Sequence, residues 1–152
     1  MILEYVLSEE SKSNEAIAGY DLKTADYNDF TYGDMFTGDL ILCDESTDFS
    51  QKFGWIPILD IGEELYRISN KIEVDNHCEY EFTANSNKIV FDKEGEDVLI
   101  STNYQNGVIR IGVEEYKLQA QKFLRGALAD LLLLRPEAAV NPYVVSLKNE
   151  QN

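Results

Sequence analysis

Cationic side chains are scarce in this 152-residue sequence: 13 Lys and Arg stand against 28 Asp and Glu, a net charge of −15. Such a field repels nucleic acid and anionic membranes and draws in cationic partners. Direct nucleic-acid binding and membrane association are therefore not expected. Histidine is scarcer still. The one histidine, His77, precedes Cys78, and adjacent side chains of an extended strand point to opposite faces, so the two make a poor dyad. A surface histidine at the entry to a strand is the expected role. Cys43 and Cys78, the only cysteines, are too few for a disulfide scaffold or a zinc site. Each lies in an apolar, strand-like context, where a thiol acts as a small hydrophobe. The apolar run Leu131–Leu134 falls far short of a bilayer span. Met1–Leu7 lacks a basic leader and a cleavage site, which makes the cytoplasm the expected compartment.

Catalytic signatures are missing too. There is no Gly-x-Ser-x-Gly elbow and no His-Glu-x-x-His pair. Gly107–Gly112 has too few glycines for a phosphate cradle and reads as a strand. Carboxylates do occur in groups, as in Asp44-Glu45 with Asp48, Glu63-Glu64, Glu94 with Glu96-Asp97, and Glu114-Glu115. Acid–base catalysis needs environments that separate two pKa values, and spacing alone does not supply them. Asp44–Asp48 also lacks the oxygen spacing and central glycine of a calcium loop. No catalytic residue, metal or cofactor is expected.

What is present is a readable pattern of elements. Ile58, Ile61, Leu65, Ile68 and Ile72 recur at steps of three and four, the stripe of an amphipathic helix. Two starts fit it: Pro57 in the first turn, or Asp60 with Glu63 as a capping box. Four period-two runs follow, carrying Tyr80, Phe82 and Ala84, then Ile89 and Phe91, then Val98, Ile100 and Thr102, then Ile109, Ile111 and Val113. Turn residues separate them, and Asn106-Gly107 gives the strongest hairpin signal. A second helix is expected from about residue 114 to 134, ended by Pro136; its all-apolar Leu131–Leu134 end should be covered on more than one side. Met1–Leu7, Gly38–Asp44 and Asn141–Leu147 read as further strands. The expectation is a single domain over 1–152, of α+β class: one antiparallel sheet of five to six strands with two helices packed on one face.

The charge is concentrated toward the amino end. Residues 1–50 hold 12 acidic and 2 basic side chains, and aromatics interleave the acids, unlike a solvated acidic tail. This pattern suits a docking surface for a basic protein, on which rings anchor and carboxylates steer. The candidate contacts are Asp26, Asp29, Asp34, Asp39, Asp44, Glu45 and Asp48, with Tyr27, Phe30 and Tyr32 as anchors.

A resemblance points the same way. Phe53-Gly54-Trp55-Ile56-Pro57-Ile58-Leu59 is followed by Tyr80-Glu81-Phe82-Thr83, Ile89-Val90-Phe91, Val98-Leu99-Ile100, Phe123-Leu124 through Leu131, and Asn141-Pro142. Across residues 53–143 this order resembles the small acidic cytosolic immunity proteins of bacterial contact-dependent and polymorphic toxin systems. The resemblance implies a stoichiometric, non-catalytic inhibitor that binds the C-terminal domain of a cognate toxin, often a basic nuclease. It carries over no site residue. Two other readings stay open: a DNA mimic that inhibits a nucleic-acid enzyme, and a small ligand-binding or enzymatic α+β domain with a cleft around His77.

Overall fold

The computed structural model describes residues 1–13 and 20–151. The chain opens with β1 (Ile2–Leu7) and a one-turn helix α1 (Glu9–Lys12), then α2 (Tyr27–Tyr32), β2 (Thr37–Cys43) and β3 (Gln51–Pro57). Helix α3 (Ile58–Asp75) leads into β4 (His77–Glu81), β5 (Lys88–Glu94), β6 (Asp97–Thr102) and β7 (Ile109–Gly112). Helix α4 (Val113–Leu134), a 3-10 turn (Pro136–Val140) and α5 (Pro142–Glu150) complete it.

The class is α+β, but the single expected sheet is two antiparallel sheets, ordered β1-β2-β3 and β4-β5-β6-β7. Five α-helices, not two, occur among the described residues. The four period-two runs are β4 to β7, with Tyr80, Ile89, Phe91, Val98, Ile100, Ile109 and Ile111 turned into the core. Their tightest turn is Gly95-Glu96, where Glu94 pairs with Asp97 and Gly95 takes φ +63°. The expected Asn106-Gly107 hairpin is instead part of the longer 103–108 connection, with Gly107 at φ +115°.

Both expected long helices form because each has a face to bury. Helix α3 starts directly after Pro57, which occupies its N-cap. Asp60 does not cap it. Its carboxylate turns instead to the Tyr27 and Tyr80 hydroxyls. The helix ends where Asn76 adopts φ 59° and returns its N–H to the Ile72 carbonyl at 3.0 Å, a left-handed cap that asparagine tolerates. On α4, the Tyr116 ring lies 5.4 Å from that of Phe91, and its hydroxyl donates to the Leu65 carbonyl at 2.9 Å. The two helices approach closely at Gly62, where a Cβ would meet the Phe123 ring at 3.2 Å. The end of α4 is less covered than its sequence suggests, since Leu133 faces solvent while Leu131 is buried.

The largest local correction is at the C-terminus. Asn141–Leu147 is not a strand; the helix α5 begins there. The Asn141 side chain accepts from the N–H groups of Tyr143 (2.8 Å) and Val144 (3.2 Å), and Pro142 takes the first helical position. An asparagine cap followed by proline is a helix start. Val144 and Leu147, three apart, supply the buried face. One contiguous apolar cluster joins the helices to both sheets. The connections beside the two sheets are also tied, with Tyr104 Oη donating to the Phe49 carbonyl at 2.6 Å and Asn87 Nδ2 to Gln51 Oε1 at 3.2 Å.

Candidate functional site

The first sheet has one buried and one open face. β1 and β2 pair with Ile2 opposite Cys43, Glu4 opposite Ile41 and Val6 opposite Asp39. Leu3, Leu40 and Leu42 are buried, so strand alternation turns Ile2, Glu4, Val6, Asp39 and Ile41 the other way. Ile2 and Val6 are exposed there.

β3 then leaves the regular ladder. Gly38 pairs with Ile56 but Leu40 pairs with Gln51, so the four residues from Lys52 to Trp55 stand opposite Asp39 alone. Extra residues in one strand bow it outward and re-aim its side chains. Gly54 allows the bow by taking φ +78° with open space around its Cα. Its N–H donates to Asp39 Oδ1 at 2.7 Å, pinning the arch to β2. Phe53 and Trp55 flank that glycine, their ring centroids 5.2 Å apart. They remain 49% and 42% exposed, two adjoining rings on the surface.

Carboxylates rim this pair. Ser8, Glu9, Glu10, Asp34 and Thr37 line an open groove of about 520 Å³ with Phe53, Gly54 and Trp55. The acidic wall is held by a hydroxyl network. Ser8 Oγ caps α1 and lies 3.1 Å from Thr37 Oγ1, and Ser11 Oγ accepts the Thr37 N–H at 2.7 Å. At the other end of the face, Met1 and Ile2 form a second concavity with Asp44, Glu45 and Ser46. Asp44 accepts from the N–H groups of Ser46 and Thr47 at 2.9 and 2.8 Å, and these bonds hold its carboxyl below the usual carboxylate range. Bonds from Ser50 do the same for Asp48. Bases border the face too: Lys12, paired with Glu9, Lys52 on the arch, and Lys122 beside Ile2 and Glu4.

Four of the expected contact residues, Asp34, Asp39, Asp44 and Glu45, thus border one face, with Asp48 exposed in the adjoining hairpin. The others lie on α2. Asp26 and Asp29 cap it reciprocally, at 3.0 and 2.9 Å. Tyr32 is 72% exposed. Phe30 cannot anchor a partner: it is 1% exposed and packs 5.5 Å from the Tyr143 ring. It is a core residue because the helical period turns it toward α5. Phe53 and Trp55 lie beyond the acid-rich first 50 residues that mark the expected contacts. An i, i+2 aromatic pair around a glycine was the available signal.

A second constellation is structural. Asp60, 3% exposed, accepts from Tyr27 (2.9 Å), Tyr80 (3.3 Å) and Thr31 (3.5 Å). Burial raises its pKa against the pull of these donors. Glu63 beside it accepts from Tyr143 Oη at 2.6 Å and pairs with Arg67 at 2.6 Å. The cluster clamps α2, α3, β4 and α5 together. His77, on the surface, pairs with Asp92 at 2.5 Å and with Glu79, and both raise its pKa. Among the described residues, no group of three or more His, Cys, Asp or Glu could hold a metal ion, and no helix is long and apolar enough to cross a membrane. Comparison with family models, with curated proteins and with solved structures gave no match.

Proposed function

We propose that this chain is a non-catalytic binding protein that captures and neutralises a basic protein, as an immunity protein does its toxin. The observation that carries the reading is the Phe53–Trp55 pair, held out to solvent by the Asp39–Gly54 bond and ringed by Glu9, Glu10 and Asp34. Aromatic anchors inside a charged rim are the arrangement in which interface energy concentrates, with the charges setting the encounter rate. A lysine- or arginine-rich surface meets both needs here, and the chain's own net charge of −15 favours its approach.

The partner class that fits best is the C-terminal domain of a toxin, acting in the cytoplasm. The test is protection. Cells producing a basic toxin domain encoded beside this gene are expected to survive when the wild-type chain is co-produced. A Phe53→Ala/Trp55→Ala variant is expected to lose both protection and complex formation. Full protection by a folded double variant would overturn this interface. A binding rate that stays flat with ionic strength would overturn the electrostatic part.

A further inference from the structure

Strand β1 is the edge of its sheet. Its six pairs with β2 run without a register shift, and Ile2–Leu7 contains neither proline nor lysine. Natural edges are usually blocked by such features or by a covering helix, because an open edge invites another strand. Here α4 lies along β1, with the Tyr5 and Phe123 rings 5.1 Å apart, and leaves a groove beside it.

The Ser8 N–H donates to the Thr37 carbonyl at 2.9 Å. In an antiparallel ladder the inward-bonded residues alternate, so Ile2, Glu4 and Val6 bond toward β2. The main-chain N–H and C=O groups of Leu3 and Tyr5 then point away from the sheet. Among the described residues they have no bonding partner. What lies beyond them is a groove of about 480 Å³ between β1 and helix α4. It is bridged near both ends, by Gln119 Nε2 on the Met1 carbonyl at 3.2 Å and by Tyr5 Oη on Asp130 Oδ2 at 2.6 Å. Between these bridges the helix side presents Lys122 and Gly126, the latter with no side chain to fill the space.

We propose that this groove accepts an extended segment of a partner protein as a fourth strand on β1. A row of alternating main-chain donors and acceptors is matched by another main chain in extended form. On the open face the side chains of such a segment would sit beside Ile2, Glu4 and Val6, so an apolar–basic–apolar sequence fits there, with Lys or Arg next to Glu4. Its alternate side chains would face the helix side with Lys122 and Gly126. A second copy of β1 fits less well, because it would bring together two subunits of net charge −15. The proposal deepens the reading of a basic protein partner, since the Ile2–Glu4–Val6 row is shared with the open face.

The test uses a blocked peptide of alternating valine and threonine with one central lysine, added to the full chain. At about ten times its Kd, hydrogen exchange of the Leu3 and Tyr5 amides is expected to slow about tenfold. A peptide with glutamate in place of lysine should bind more weakly, and Glu4→Lys should reverse that order. Gly126→Gln, which suits the helix but projects into the groove, should abolish the protection while the protein stays folded. Unchanged exchange at Leu3 and Tyr5 with the lysine peptide at millimolar concentration overturns the proposal, as does full protection in Gly126→Gln. Phe53→Ala/Trp55→Ala should leave peptide binding intact, which separates failure of the groove from failure of the aromatic face.

Discussion

The side chain of Asp39 accepts the N–H of Gly54 at 2.7 Å, tying β2 to the middle of the bowed-out run that carries the exposed Phe53 and Trp55. A carboxylate in that place stabilises the arch more than a neutral acceptor would, since bonds to charged groups are worth about 1.5–3 kcal/mol when buried. The site is half-exposed, so Asp39→Ala is expected to cost about 1 kcal/mol. Gly54→Ala, strained at φ +78°, should cost about 1–2 kcal/mol. Trp55 is the only tryptophan, so its emission reports the arch directly. Both variants should alter that emission below the unfolding transition, and an unchanged spectrum would show that the bond does not hold the arch.

Asp60 gives the fold a measurable pH response. Its folded pKa is raised by burial, so the folded state holds this proton to higher pH than the unfolded chain does. Asp60 therefore contributes stability at pH below the unfolded value near 3.9, and that contribution is lost as pH rises through the folded value. Asp60→Asn carries no charge and keeps an acceptor for Tyr27. Relative to wild type it should gain stability as pH increases from about 4 to about 7. Urea midpoints of the two proteins across that range provide the check, and a constant difference would mean that Asp60 is not the titrating group.

Phe30 and Tyr32 lie two positions apart on α2 and should behave oppositely. Phe30 is enclosed, so Phe30→Ala removes a core ring and is expected to destabilise by about 3–5 kcal/mol. Tyr32 is open to solvent, so Tyr32→Ala should stay within about 0.5 kcal/mol. Thermal melts of the pair decide the matter. Equal losses would mean that α2 lies differently on the core.

The elements legible in the sequence are those whose periodicity comes from burying one face. Ile58 through Ile72 and Tyr116 through Leu131 mark α3 and α4, and alternation marks β4 to β7. The division into two sheets was not legible, because it depends on which distant strands pair, as β1 with β2 across residues 8–36. The short α1 and α2 rest on caps such as Ser8 and the Asp26–Asp29 box rather than on an apolar stripe. For the candidate site, the acidity of the first third was legible, but its partition was not. Asp26 and Asp29 serve a helix cap, while Asp34 and Asp39 reach the arch of β3. That arch comes from a register shift between distant strands, for which the only local sign is Gly54 between two aromatics.

Asn141 shows how one buried polar side chain can decide between strand and helix. Beyond capping α5, its Nδ2 donates to the carbonyls of Leu22 and Ala25 at 2.7 and 2.8 Å. Asn141→Ala therefore loses a cap and leaves two buried carbonyls without a donor, for a combined cost of about 2–4 kcal/mol. Asn141→Asp separates the two roles. It keeps the cap oxygen, so α5 should persist by circular dichroism, but it turns a carboxylate oxygen toward two carbonyls. Stability should therefore fall at neutral pH and recover in part as the new carboxyl is protonated, because its folded pKa is raised. If Asn141→Asp matches wild type at neutral pH, the Nδ2 bonds do not contribute and capping alone specifies α5.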